Sequence, residues 1–171
     1  MNGQFVLVLL TALGALATAI FTANAANATR TAARGSALLS CLDKYVAIRK
    51  DRRTAIDTQD RGLAEEYYRE ILDLHWNEYH LWLQGVIPDD IMFSWLQIRK
   101  RNFETDTIVV KPDAGGTDPV TYKFQWQELK NTNYFEQSDP FVGFMDKTHG
   151  GLITKLDHLR KLKKELKHEK L

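Results

Sequence analysis

The strongest periodic pattern in the chain lies between residues 63 and 83, where apolar and aromatic positions recur every three or four residues. This spacing predicts an amphipathic helix with one buried face. Gly85 predicts the end of that helix, and Pro88 followed by two aspartates predicts the start of a second one. We expect the two helices to form an antiparallel hairpin, with Trp95 and Ile98 opposing the buried face of the first. That face consists of Tyr68, Ile71, Leu72, His75, Tyr79 and Trp82.

The helical period changes after residue 103. Thr107–Val110 is a β-branched run, and Val120–Trp126 alternates apolar with polar positions, a pattern typical of half-buried strands. The segment between them is rich in turn residues, so we expect a small β-hairpin. A helix that continues from the second run through Leu129 is the alternative.

Residues that favour caps and turns predict where the remaining helices begin and end. Gly35 and Ser36 predict a kink or a new start in the helix that precedes the hairpin, and Asp57 or Thr58 is a candidate N-cap. Ser138 is the candidate N-cap of a short helix further along.

The last segment, residues 152–171, is predicted as a basic helix with leucines along one stripe. Such a stripe requires burial, which favours docking on the acidic part of the same chain or pairing with a second copy. The stripe consists of Leu152, Leu156, Leu159, Leu162 and Leu166.

The first 29 of the 171 residues contain no charged side chain. As a helix, Phe5–Ala23 would rise roughly 28 Å, which matches a hydrocarbon core of about 30 Å. An uncleaved membrane anchor is therefore predicted. The alternative is a secretory signal peptide cut after Ala25, since small residues occupy positions 23 and 25, although no basic segment precedes the apolar run.

Charge along the rest of the chain is uneven, although the formal net charge is only +1. Residues 30–53 hold seven basic and two acidic side chains, residues 54–154 hold nine basic and seventeen acidic, and residues 155–171 hold seven basic and three acidic. By the positive-inside rule, the first basic segment predicts an inner-membrane protein with its N-terminus outside and its C-terminal domain in the cytoplasm. The candidate membrane-proximal residues are Arg30, Arg34, Arg49, Lys50, Arg52 and Arg53.

Taken together, the patterns predict a mainly α-helical protein: an N-terminal transmembrane helix followed by a helical bundle-like domain with a small β-hairpin. The expected parts are an anchor at 1–29, a basic juxtamembrane helix at 30–56, the hairpin domain at 57–151 and a basic C-terminal helix at 152–171. A hydrophobic content of 44% is sufficient for a packed core and excludes a wholly disordered chain.

Few residues have a spacing that points to chemistry. His75, Glu78 and His80 share one helix, but the histidines are five residues apart, whereas two metal ligands on one helical face are normally four apart. We therefore expect no metal and no cofactor, with His75 neutral and hydrogen-bonded beside the aromatic face. Cys41, the only cysteine, excludes an internal disulfide and lies on an apolar stretch that predicts burial. No sequence motif identifies a catalytic residue.

The layout of an apolar N-terminal span, a basic segment and the helical stretches Glu66–His75 and Gly85–Pro88 resembles small single-pass bacterial membrane proteins with a helical cytoplasmic domain. Some members of that loose class belong to phage-defence or abortive-infection systems. The resemblance covers about half the chain and assigns no functional residue.

The favoured function is therefore a membrane-anchored, non-enzymatic interaction or scaffold protein. Two alternatives remain: a signal-cleaved periplasmic binding domain, and a membrane-tethered hydrolase that uses the face of His75 and Glu78. The expected partners are the lipid bilayer and either a second copy or another protein bound through helical faces. Nucleic acid is not favoured, because acidic residues interrupt the basic C-terminal segment.

Overall fold

Residues 3–111, 118–136 and 139–168 are described by the structure, a computed structural model; the side chains of residues 3–17, 20 and 118 are outside this description. Over these residues the chain forms helices joined by short connections, with one pair of strands. The elements are α1 (Gly3–Thr58), α2 (Arg61–Leu83), α3 (Asp89–Thr105), β1 (Thr107–Val110), β2 (Asp118–Thr121), α4 (Tyr122–Asn131), α5 (Pro140–His149) and α6 (Leu156–His168). The prediction of a mainly helical fold with a small β-hairpin is confirmed.

The chain divides into two units, Met1–Leu39 and Ser40–Leu171. In the first unit the described side chains belong to α1 and are mostly exposed. The helix is continuous at Gly35 and Ser36, so the predicted kink is wrong. A glycine lowers helix stability by only about 1 kcal/mol, which the alanines around it offset.

Most of the predicted span, Phe5–Ala23, lies outside the side chains that the structure describes. In the part of the chain that was described, no helix is both long enough and apolar enough to cross a membrane.

In the second unit, α1 is held by residues that recur every seven positions. Cys41, Ile48 and Ala55 are buried at 7%, 2% and 0% exposure. The helix ends where Gln59 adopts a positive φ of 55°. Asp60 then caps α2 by accepting a hydrogen bond from the Leu63 amide at 2.9 Å.

The sequence had placed this cap one turn too early, at Asp57 or Thr58. Both residues instead belong to the last turn of α1. The break requires a left-handed residue, and Gln59 adopts that conformation.

The core lies where α2 packs against α4 and the strands, with α3 lying against α4, α5 and α6. Large aromatic side chains fill it, and several of their rings meet at centroid distances of 4.9–5.5 Å. The fully buried aromatic residues are Trp82, Trp126, Tyr68, Tyr79, Tyr122, Phe141 and Phe144.

The inward face of α3 differs from the predicted one. Met92, Leu96 and Arg99 are buried, whereas Ile98 is 46% exposed and Trp95 is only half-buried. Arg99 turns inward to meet a buried carboxylate on α2, and this rotates Ile98 toward solvent.

The two strands pair antiparallel, with Ile108 opposite Val120. The second strand is shorter than predicted, because Thr121 ends it and caps α4 by accepting a hydrogen bond from the Phe124 amide at 3.1 Å. Phe124 is 48% exposed and Trp126 is buried, so the burial here follows the helical period. The alternative of a helix through Leu129 is therefore the correct one.

The C-terminal helix begins at Leu156 rather than Leu152, which is 67% exposed. Leu159, Leu162 and Leu166 are buried, and α6 lies against α3. The predicted docking of the basic tail on the same chain is thereby confirmed.

The cap of α5 is Asp139, whose carboxylate accepts from the Phe141 amide at 2.8 Å. The residue predicted for this role, Ser138, lies outside the described residues.

Replacement of Trp82 by alanine should lower the free energy of unfolding by roughly 3–5 kcal/mol. The ring is fully buried, its Nε1 donates to Asp89 at 2.9 Å, and the Lys163 ammonium lies 4.9 Å from its centroid. Urea denaturation of the full chain, followed by circular dichroism, measures the change. Trp76→Ala is the matched control, since Trp76 is 36% exposed and should cost much less. Equal losses in the two variants would show that Trp82 does not anchor the core.

Candidate functional site

Two features of the structure are candidates for function: a basic surface on α1 and a pocket beside it. The six basic residues singled out in the sequence do not form one site. Arg30 and Arg34 lie in the first unit, and the other four lie in the second.

Arg52 is bound within the fold. Its guanidinium donates to the Asp106 carboxylate at 2.6 and 3.2 Å, and the Tyr67 hydroxyl donates to the second oxygen of the same carboxylate at 3.1 Å. The hydrogen bond to Asp106 keeps the pKa of Arg52 above its usual value despite the opposing effect of burial. Arg52 therefore fixes the rotation of α1 in the second unit.

The remaining basic residues of this part of α1 are exposed. Arg49, Lys50 and Arg53 line one surface together with Val46 and Ile56, which are 50% and 40% exposed. We call these five residues the basic face. It mixes three cations with apolar side chains, as helices at a lipid interface do, and the exposed Asp57 carboxylate on the same surface offsets one of the three charges.

A pocket of about 250 Å³ lies between the second-unit part of α1 and the helices α2 and α3. Its polar residues are His75 and Glu78 from α2, Arg99 and Asn102 from α3, and Cys41 from α1. The other lining residues are Leu42, Tyr45, Tyr67, Ile71, Leu74, Trp95 and Ile98. Pockets with apolar walls and a few converging polar groups are typical of small-molecule sites.

The Glu78 carboxylate and the Arg99 guanidinium form an ion pair in this pocket. Their side chains are only 7% and 5% exposed. Burial lowers the pKa of Arg99 to about 10, which still leaves it charged at neutral pH. Because each ion is removed from water, each depends on the other for compensation.

His75 is 6% exposed, and its Nδ1 lies 3.0 Å from the Tyr122 hydroxyl. Burial, and then the nearby positive charge of Arg99, lower the pKa of His75 well below its ordinary value. The prediction of a neutral His75 hydrogen-bonded beside the aromatic face is confirmed. His80 lies elsewhere, with its ring 4.2 Å from that of Trp76.

Cys41 is buried, as predicted, and burial raises the pKa of its thiol. A nucleophilic cysteine requires the opposite shift, since the thiolate is the reactive form. Over the described ranges, no three His, Cys, Asp or Glu side chains are arranged to hold a metal ion.

Sequence reasoning found His75 and Glu78 but missed the residue that completes the pocket. In sequence, Arg99 opens the basic run Arg99–Arg101 near the end of α3, and such a run by itself indicates only cations that favour the helix dipole. The available signal was its position, since Met92, Leu96 and Arg99 follow helical spacing. An arginine in an apolar series indicates a buried partner.

A second buried histidine lies outside the pocket. The His149 ring stacks on Phe103 at 3.7 Å, and neither ring nitrogen has a hydrogen-bond partner among the described residues. Burial lowers the pKa of His149 to about 3, although Asp146 acts in the opposite direction. This histidine is therefore neutral at neutral pH.

Comparisons of the chain with known protein families, with curated proteins and with solved structures give no match.

Removal of one partner of the Glu78–Arg99 pair should cost about 3–5 kcal/mol of unfolding free energy, because a charge is left buried and uncompensated. We expect Glu78→Leu and Arg99→Met each to have this effect. The double variant should be less destabilised than either single one, since no charge remains. Urea denaturation of all four proteins measures the cycle, and additive losses would contradict the pairing.

Acid should destabilise the protein through His149. Well above pH 6.5, His149 is neutral in both the folded and the unfolded protein. Below pH 6.5 the unfolded chain binds a proton on His149, whereas the folded chain does not bind it until about pH 3. Stability should therefore fall across this window, by about 2 kcal/mol between pH 6.5 and 4.5. His149→Phe keeps the stacked ring and should make the profile shallower by this amount, while the slope that remains includes the contribution of His75, whose pKa burial also lowers. An unchanged profile in His149→Phe would contradict the assignment.

Proposed function

We propose that this is a membrane-associated, non-enzymatic interaction protein. Its N-terminal segment anchors it in the inner membrane with the N-terminus outside, and its second unit lies at the cytoplasmic surface. The observation that carries the proposal is the basic face of α1, where Arg49, Lys50 and Arg53 are exposed beside Val46 and Ile56.

Such a surface suits anionic lipid headgroups for two reasons. Each arginine or lysine near the membrane contributes about 1 kcal/mol of attraction. The exposed apolar side chains add burial at the boundary between headgroups and acyl chains. Arg52 is engaged inside the fold, whereas the other three basic residues are exposed.

A non-enzymatic role is supported by the partners of the candidate catalytic groups. The hydrolase alternative needs a free general base at His75 or Glu78. Instead, burial holds the pKa of His75 well below its ordinary value, which makes it a weak proton acceptor, and Glu78 is neutralised by Arg99. A phage-defence context is suggested by the resemblance of the sequence layout alone.

The exported binding domain is the second candidate, and the pocket of about 250 Å³ is the observation that favours it. The two candidates differ in covalent structure. An anchored protein keeps residues 1–25, whereas export leaves a new N-terminus at Ala26. The mass of the mature protein separates them.

The basic face is tested with the full chain reconstituted in vesicles. An environment-sensitive fluorescent dye is attached to the cysteine of Val46→Cys in a Cys41→Ala background. Its emission should shift to shorter wavelength when phosphatidylglycerol is added to phosphatidylcholine vesicles. Arg49→Gln, Lys50→Gln and Arg53→Gln together should reduce that shift, because the attraction is electrostatic. The control replaces Lys161, Lys164 and Lys167, which are exposed on α6, by glutamine. A shift that is absent, or equally reduced in both triple variants, would overturn the proposal.

A further inference from the structure

We infer that the pocket between α1, α2 and α3 binds a small, uncharged aromatic molecule that carries one hydroxyl or amide group. This inference goes beyond the proposed membrane association and does not depend on it. It rests on the size of the pocket, the nature of its walls, its internal charge balance and the buried His75 imidazole among its lining residues.

Size limits the ligand first. The pocket volume is about 250 Å³. An apolar cavity of about 150 Å³ accepts benzene, with six carbon atoms, so in proportion this pocket accepts about ten non-hydrogen atoms. That corresponds to two fused rings with one substituent.

The walls favour a flat ring system. Tyr45, Tyr67 and Trp95 contribute aromatic surfaces, and Ile71 and Leu74 contribute branched aliphatic ones. Aromatic pairs gain about 0.5–1.5 kcal/mol beyond the burial of their area when they meet edge to face or offset. Cys41 adds a thiol that burial keeps protonated and apolar in character.

The charge balance of the pocket excludes a charged ligand. Glu78 and Arg99 neutralise each other, and His75 is neutral. A carboxylate would meet Glu78 without a spare cation, and an ammonium would meet Arg99 without a spare anion. Either ion would lose its hydration with no compensation, so an uncharged molecule is preferred.

His75 supplies the specific contact. Its Nδ1 is bonded to Tyr122, and its Nε2 has no hydrogen bond to any residue that the structure describes. In a neutral imidazole one nitrogen donates and the other accepts, so Nε2 takes whichever role Nδ1 leaves. A hydroxyl or an amide satisfies it in either tautomer.

Access to the pocket does not require unfolding. Leu42 and Ile98 line it and are 53% and 46% exposed, so they form its mouth. A large residue at either position would block entry, and the change would fall on an exposed site where stability is least affected.

The probe for this site is 2-naphthol, titrated into the full chain by calorimetry. We expect saturable binding of one molecule per chain, with a dissociation constant below about 1 mM. The charged analogue 2-naphthoate should bind at least tenfold more weakly. In the ¹⁵N spectrum, the His75 Nε2 resonance should move on addition of 2-naphthol, which a non-specific apolar contact elsewhere would not cause.

Ile98→Trp should weaken 2-naphthol binding at least tenfold, while Leu152→Trp should leave it unchanged, since Leu152 is exposed and does not line the pocket. Leu42→Trp repeats the test from the opposite side of the mouth, should Ile98→Trp fail to fold. The inference is overturned if the folded chain shows no saturable binding, if 2-naphthoate binds as tightly, or if the mouth variants bind normally. Vesicle association is measured separately, so failure here leaves the basic face untouched.

Discussion

The ion pair between Glu78 and Arg99 is the constraint on which the arrangement of the second unit depends. Two charges have been removed from water, and neither is tolerable alone. To meet Glu78, Arg99 must face inward, and because α3 is rigid this also turns Met92 and Leu96 inward and Ile98 outward. One polar interaction therefore sets the rotation of a helix that its apolar residues alone leave undecided. The same two residues line the pocket, and because their charges cancel they add no net charge to it.

Acidic residues at the edge of the core explain the uneven charge of the sequence. Aspartates accept hydrogen bonds from aromatic side chains whose rings are buried: Asp89 from Trp82, Asp146 from Trp126 and Asp106 from Tyr67. Each of these carboxylates is also met by a cation, from Lys163, Lys130 and Arg52 respectively. Arg52 and Lys163 come from the basic segments on either side of residues 54–154 and offset part of the acid excess there, whereas Lys130 belongs to residues 54–154 itself.

This pattern gives the indole N–H and phenol O–H groups strong acceptors at the boundary between core and solvent. Charge-assisted hydrogen bonds are roughly twice as strong as neutral ones, so they hold the large rings in defined positions. The basic C-terminal helix has a structural role for this reason: Lys163 bridges to Asp89 at 2.7 Å while the leucines of α6 cover α3.

Local pattern sufficed to predict most of the fold. The bounds of α2, α3 and β1 agree with the predictions to within about two residues, because caps, turns and periodicity are local signals. The predictions were wrong where a contact with a residue outside the local pattern determines the structure. Val120–Trp126 fits a strand and a helix equally well, and the cap at Thr121 selects the helix. The pocket was only half predicted, since Glu78 and Arg99 are 21 positions apart and neither identifies the other in sequence.

The two proposals share one helix, and the geometry of that helix explains why. Cys41, Ile48 and Ala55 recur at seven residues, close to two helical turns, so they form one inner line. Arg52 lies on the same side and is tied to Asp106. With that side fixed, Leu42 falls at the mouth of the pocket, and Val46, Arg49, Lys50 and Arg53 fall on the outward surface. An apolar ligand that entered past Leu42 would therefore pass beside the surface proposed to lie on lipid.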